Sequence, residues 1–252
     1  MICNEYNANM KSVFLSDLHI QNKDDQSSLI FHKTLESPEL SAADSLFLLG
    51  DIFDLCIGNH KQYIDKYDFF FKALKRLEDA GKKIYFIEGN HDFHLSDIFK
   101  SAKLNVEYLK KGKVFQFAGK SFFVCHGHEV DYYNIYFKRW YRIYSSKWFS
   151  FLVSYIFPFK LIEYLGAKAS QDSKKRGQKT FNKDEMEKKY LIGAQALIKE
   201  KQLDGVICGH THIKANIQFD DKTQYFNLGF PSKGKEFLFF DGENFRFISL
   251  SV

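Results

Sequence analysis

Ser12-Val13-Phe14-Leu15-Ser16-Asp17-Leu18-His19 places a short strand-like run directly before a carboxylate and an imidazole. Residues 12–15 have the length and apolar character of a buried strand. The same arrangement recurs at 45–49, which leads into Gly50-Asp51-Ile52-Phe53-Asp54, and at 83–87, which leads into Gly89-Asn90-His91-Asp92. Helical periodicity near 29–35 and 63–80 separates the three runs, giving a β-α-β-α-β rhythm with parallel strands. Ligands of such sheets gather at the carboxyl ends of the strands. Asp17, Asp51 and Asn90 are therefore expected on loops that share one crevice.

Two further runs follow the same rule. A hairpin over 114–117 and 121–125, turning at Ala118-Gly119-Lys120, feeds His126-Gly127-His128. A strand at 205–208 feeds Gly209-His210-Thr211-His212. Residues 132–200 lose strand character and read as helical. Beyond the fifth motif the chain becomes all-β over 215–219, 225–228, 236–240 and 245–250, with turns at Asp220-Asp221 and Asp241-Gly242. This order fits an α/β fold of two sheets packed face to face with helices outside. One domain spanning 1–252 is expected, with a helical lid inserted at 132–200.

At 252 residues, 45% hydrophobic and with three prolines, the chain can bury a sizeable core and is not disordered. Its four cysteines form no C-x-x-C pair, which favours reduced structural thiols and a cytosolic setting. Met1 to Met10 lacks the apolar core of a signal peptide, and the apolar stretch 148–159 is too short to cross a bilayer. The net charge is +5, but residues 132–183 carry eleven Lys/Arg against two acids, a local excess of +9. The basic character belongs to that segment, and the remainder carries about −4.

Each motif alone is a weak signal, since a D-x-H after a strand is commonly a satisfied polar pair. Five in fixed order, each at a strand end, are a complete donor set for two adjacent ions. Carboxylate, imidazole and amide donors suit Mn²⁺, with Fe, Zn and Mg as competitors. Two such ions can share a carboxylate, acidify a common water and withdraw charge from a phosphorus centre.

The pattern D-x-H, G-D, G-N-H-[DE], H and G-H-x-H resembles the calcineurin-like metallophosphoesterase superfamily over nearly the whole chain. The resemblance implies a four-layer αββα sandwich. It also implies that Asp17, His19 and His212 hold one metal, that Asn90, His126 and His210 hold the other, and that Asp51 bridges them. His91 would stabilise the transition state or protonate the leaving oxygen, with Asp92 orienting its ring. His128 and His94 read as second-layer or surface groups. Asp54 reads either as a partner fixing the tautomer of a ligating histidine or as a helix cap.

The insertion bears on substrate. Residues 132–159 hold thirteen aromatics in 28 positions, interleaved with Lys138, Arg139, Arg142 and Lys147. Stacking on nucleic acid, contact with lipid and ordinary packing as a cap are the three readings. The dense apolar run Trp148-Phe149-Ser150-Phe151-Leu152-Val153 favours lipid, and no nucleic-acid partner is expected. The order Tyr136-Phe137-Lys138-Arg139-Trp140, an aromatic stretch ending at Pro158, then Ala169-Ser170 and a basic tail is similar to the UDP-2,3-diacylglucosamine pyrophosphohydrolases. That resemblance implies a Mn²⁺-dependent, lipid-linked UDP-sugar hydrolase of lipid A synthesis, cytoplasmic and peripheral to the inner membrane. Trp140, Trp148, Phe149, Phe151, Ser170 and Lys174 would contact substrate. Those enzymes commonly carry arginine where this chain has His91 and an acid where it has His128. A sister branch acting on another phosphodiester, a nucleotide or a phosphoprotein is therefore the alternative. A non-catalytic scaffold on the same fold would have lost ligands, and none is missing here.

Overall fold

The computed structural model describes residues 10–131, 135–168 and 182–251; of the side chains at 135–138 and at Trp140 nothing is said. In chain order the elements are β1 (Ser12–Leu15), α1 (Gln26–Leu35), α2 (Pro38–Ala42), β2 (Ser45–Leu48), β3 (Cys56–Ile57), α3 (Gln62–Lys66), α4 (Asp68–Asp79), β4 (Lys83–Ile87), β5 (Asp92–Phe93), α5 (Ser96–Ser101) and β6 (Val106–Leu109). There follow β7 (Lys113–Phe117), β8 (Lys120–Val124), α6 (Ile135–Tyr144), α7 (Lys147–Phe151), a π-turn (Leu152–Ile156) and α8 (Phe159–Lys168). The chain closes with α9 (Lys183–Lys201), β9 (Gly205–Cys208), β10 (Ala215–Gln218), β11 (Gln224–Asn227), α10 (Pro231–Gly234), β12 (Glu236–Phe240) and β13 (Phe245–Ser249).

Two sheets carry the fold. The first has the order β13-β12-β1-β2-β4-β6, and the second β10-β11-β9-β8-β7. Strands β1, β2, β4 and β6 run parallel, as do β8 and β9, and each of the five motifs begins just past one of these ends. A β-strand sends alternate side chains to opposite faces. Val13 and Leu15 accordingly join an outer core with Ile30, Phe31, Phe70, Leu74 and Phe99 of α1, α4 and α5, whereas Phe14 points the other way.

The layer between the sheets is built largely of rings. Phe14, Phe47 and Tyr85 sit in register on β1, β2 and β4 and stack at 4.7 and 4.4 Å between centroids. Phe117 of the opposite sheet meets Phe14 edge-on at 5.6 Å. Offset stacks and edge-to-face contacts add to the area these rings bury and fix how the sheets sit on each other. A third core packs Tyr190, Ala194, Leu197 and Ile198 of α9 on the far side of the second sheet. Three cores separate four layers, so the chain is an αββα sandwich, and α9, within the segment expected as a lid, forms its outer layer.

Helices α6, α7 and α8 stand beside the motif-bearing edge. Ser146 caps α7 by accepting the Phe149 amide N–H, and the following turn widens into a π-helix closed by Phe157 N–H on Leu152 O. Loop 58–60 grips that turn. The His60 Nε2–H donates to Val153 O at 2.7 Å, and Asn59 donates to Ser154 Oγ. Gly58, at φ +76°, lies so close that a Cβ there would fall 2.7 Å from Val153 O. Farther along, Lys66 pairs with Glu163 at 2.8 Å. Among the described residues no single helix is long and apolar enough to cross a membrane. Lys147–Ile156 and Phe159–Lys168 meet the apolar test only as a pair bent by 117°.

Candidate functional site

The five loops converge. Asp17, His19 and His212 bring one donor atom each within 4.8 Å of one another, and Asp51, His126 and His210 do the same. In the first group His19 Nε2 lies 3.2 Å from His212 Nε2, and Asp17 Oδ1 lies 3.4 Å from the latter. In the second, His126 Nε2 lies 3.0 Å from His210 Nδ1 and 3.0 Å from Asn90 Oδ1. Asp51 Oδ2 sits between the groups, 3.5 Å from His126 Nε2 and 3.9 Å from His19 Nε2. All seven residues expected as ligands from the sequence are thus brought together.

The donor set fits metal ions on three grounds. Two ligand atoms bound to one ion at about 2.1 Å lie roughly 3.0–3.4 Å apart, which is the spacing of the facing nitrogens. Asp17 Oδ1 is buried with no hydrogen-bond partner, an arrangement that a cation would satisfy. The remaining carboxylate oxygens are already used: the His91 amide N–H donates to Asp51 Oδ1 and the His210 amide N–H to Asp17 Oδ2, both at 2.8 Å. Each carboxylate is therefore turned so that one oxygen faces the cluster.

The charges are arranged to the same end. Burial works to raise the Asp51 carboxyl, but the positive character of His126, His91 and His19 outweighs it and holds it far below the carboxylate range. Burial likewise opposes ionisation of Asp17, and the nearby His212 and His126 imidazoles prevail and hold its carboxyl below the ordinary range. Burial and the neighbouring His126 push His210 down to about 3, leaving a neutral imidazole, the form that binds a metal. The Leu49 carbonyl, 2.8 Å from His126 Nδ1, accepts a hydrogen bond from that ring nitrogen and leaves Nε2 facing the cluster.

Holding these groups strains the backbone. Asp17, His19, Asp51, His210 and His212 have φ of 51, 53, 52, 72 and 58°, in the left-handed region that non-glycine residues seldom occupy. Such strain persists only where the surroundings over-determine it. The surroundings here include Asp92, which is fully buried and accepts the amide N–H groups of Gly89, Asp51, Ile52 and Phe53. The expectation that Asp92 orients the His91 ring is corrected: its oxygens are taken up in tying the second motif to the third. The backbone carbonyl of Asp54 holds His91 Nδ1 at 2.8 Å instead. The Asp54 carboxylate lies 4.0 Å from His19 Nδ1, and no helix begins at Asp54.

The other expected residues separate. His94 is buried, and its Nε2–H donates to the Tyr144 carbonyl at 2.6 Å, which pins the end of α6. His128 is buried behind the second group, its ring 5.6 Å from His126 and 4.9 Å from Tyr141. Phe149 faces the body, stacked on Phe93 at 6.5 Å. Trp148 and Phe151, expected to contact substrate, point outward and are 67% and 53% exposed. The cap at Ser146 sets this phase. Ser170 and Lys174 lie outside the described residues, and of Trp140 only the backbone, within α6, is described. Sequence reasoning missed Phe230, whose ring lies parallel to His212 at 4.7 Å; a lone aromatic far from any metal-binding pattern gives no signal.

The profile of the calcineurin-like phosphoesterase family matches residues 10–214, and the chain belongs to that family. It is a metal-dependent phosphoester hydrolase. It is 28% identical over 231 residues to the UDP-2,3-diacylglucosamine hydrolase of Photorhabdus laumondii subsp. laumondii, covering 86% of this chain and 88% of that one. The enzyme of the same name from Haemophilus ducreyi is 26% identical over 228 residues, covering 87% and 91%. A solved archaeal phosphodiesterase aligns over 96% of this chain and 100% of its own, with 16% identity and a TM-score of 0.49.

Gly209 tests how tightly the site is built. A Cβ there would fall 2.0 Å from Asp17 Oδ2 and 2.3 Å from Ser16 Oγ. Gly209→Ala is expected to turn the Asp17 carboxylate away, lower metal content and cut hydrolysis by about 10²-fold or more. Metal analysis of the purified variant checks this, and full metal content with parental activity would contradict it.

Proposed function

We propose that this hydrolase cleaves the pyrophosphate of UDP-2,3-diacylglucosamine to UMP and 2,3-diacylglucosamine 1-phosphate, a step of lipid A biosynthesis. The observation that carries the reading is a pair of metal-suited clusters joined by one Asp51 oxygen beside a helical insertion rich in outward-facing rings. Relatives so named align over more than four-fifths of the chain, which supports the choice of substrate.

In this reading Asp17, His19 and His212 hold one divalent ion, Asn90, His126 and His210 a second, and Asp51 both. Mn²⁺ is the proposed metal, with Fe, Zn or Mg as competitors. When bound, such ions supply Lewis acidity toward phosphate oxygens and acidify water near neutral pH. The chain's own residues do the positioning. The Asp54 carbonyl occupies His91 Nδ1, so Nε2 is the nitrogen left to face a phosphate. Water oxygen bonds to the α-phosphorus and gives up its proton to solvent, and the bond from that phosphorus to the bridging oxygen breaks. The bridging oxygen departs on the sugar phosphate, a stable anion that needs little help from a proton. His91 then serves chiefly to stabilise charge on the phosphoryl group.

Carrying out the reaction in ¹⁸O-water is expected to place one label in UMP and none in the sugar phosphate. Label in the sugar phosphate would mean attack at the other phosphorus. Absence of turnover, alongside efficient cleavage of a water-soluble diester, would support the sister-branch reading that His91 suggests.

The outward face of α7 and the π-turn is proposed to rest on the membrane that holds the substrate. Trp148, Phe151, Tyr155 and Ile156 are all more than half exposed, with Lys147 and Lys160 exposed beside them. Rings in the interface with cations at the headgroups are the usual arrangement of an interfacial helix. Each ring withdrawn from water contributes roughly 1.5–3 kcal/mol. Trp148→Ser combined with Phe151→Ser should therefore weaken co-sedimentation with phosphatidylglycerol-containing vesicles at least tenfold. Unchanged sedimentation of a well-folded double variant would remove this face from the membrane.

A further inference from the structure

Beside the metal-suited clusters lies a cavity of about 310 Å³ between the body of the sandwich and α8. Leu55 and the fully buried Tyr67 form its floor, Gln21 and Asp54 one side, and Glu163 and Ala167 the other. Gly166 allows α8 to close one end, since a Cβ there would fall 2.3 Å from Leu55 Cδ1. Lys66 spans the gap to Glu163 at 2.8 Å and ties the helix to the body. Asp54 links the cavity to the site: it lines the cavity, and its Oδ1 lies 4.0 Å from His19 Nδ1.

We propose that this cavity is the subsite for the nucleoside portion of the substrate, an inference that rests on the nucleotide-sugar reading above. The chemistry of its walls decides the class of ligand. Asp54 and Glu163 place two carboxylates against one lysine, a balance that repels phosphate and keeps the diphosphate at the clusters. The same carboxylates accept hydrogen bonds from sugar hydroxyls, and the amide of Gln21 can both donate and accept at a base edge. A volume at the low end of small-molecule pockets suits one ring system and its sugar rather than two acyl chains. The acyl chains then extend away from this cavity, toward the exposed rings of α7. On this arrangement the two halves of the substrate leave the clusters in different directions, and α8 contacts only the nucleotide half.

The test uses the manganese-loaded full chain hydrolysing bis(p-nitrophenyl) phosphate, with UMP and methyl phosphate as competing inhibitors. The two probes differ only in what is attached to the phosphate, so the ratio of their inhibition constants isolates the nucleoside's contribution. UMP is expected to inhibit the parent at the lower concentration. Ala167→Phe narrows the cavity from α8, and Gln21→Ala removes a hydrogen-bonding amide from the opposite wall. Each is expected to shrink the advantage of UMP by about three- to tenfold, with melting temperatures confirming the fold. An unchanged advantage in both variants overturns the subsite while leaving the substrate reading intact. A parent that shows no preference for UMP overturns the nucleotide substrate, and the subsite with it.

Discussion

The position of a single oxygen, Asp51 Oδ2, constrains most of what surrounds it. It must lie within reach of His126 on one side and His19 on the other, and those residues belong to different sheets. Asp51 Oδ1 is spoken for by the His91 amide N–H, which fixes the carboxylate's rotation and ties the second motif to the third. Asp92 reinforces that tie by accepting four amide N–H groups from beneath. An error of an ångström in how the two sheets meet would separate the halves of the cluster. The inter-sheet layer of stacked and edge-on rings is what denies the sheets that freedom, since close-packed interiors transmit small displacements.

The same constraint accounts for the strained loops. Asp17, His19, Asp51, His210 and His212 follow parallel strands and must point back across the sheet edge, and their left-handed backbone achieves this in few residues. Glycine provides the close approaches: a Cβ on Gly89 would fall 2.2 Å from Asp51 Oδ1. Local strain of this kind is unfavourable for folding, and the buried aromatic cores and the Asp92 network offset it.

Much of this was legible in the residues themselves. Short apolar runs ending on Asp, Asn or His marked the strands and the crevice, because a strand buried on both faces has a near-continuous apolar sequence. The all-β tail after His212 was legible for its alternation and turns. What escaped notice depends on contacts remote in sequence. Strand β6, Val-Glu-Tyr-Leu, is half-exposed at a sheet edge and has no continuous apolar run. The pairing of β3 with β5 covers two residues each and owes its existence to the motifs it connects. Asp92 next to His91 invited a role on its neighbour's ring, whereas its actual partners lie about forty residues away on the second motif. The aromatic segment was recognised as unusual, but which rings face inward follows from the Ser146 cap and the grip of loop 58–60 on Val153, not from composition.

The donors to the clusters all come from the sandwich, while α7 turns Trp148 and Phe151 outward and α8 brings Glu163, Gly166 and Ala167 to the cavity. At the junction stands Asp51, and the most direct test is the number of metal ions that depend on it. Calorimetric titration of Mn²⁺ into metal-stripped protein is expected to give two equivalents for the parent. Asp51→Ala, folded by thermal melt, should lose tight binding at both positions. Two ions bound by that variant as tightly as by the parent would contradict the bridging role on which the whole site is built.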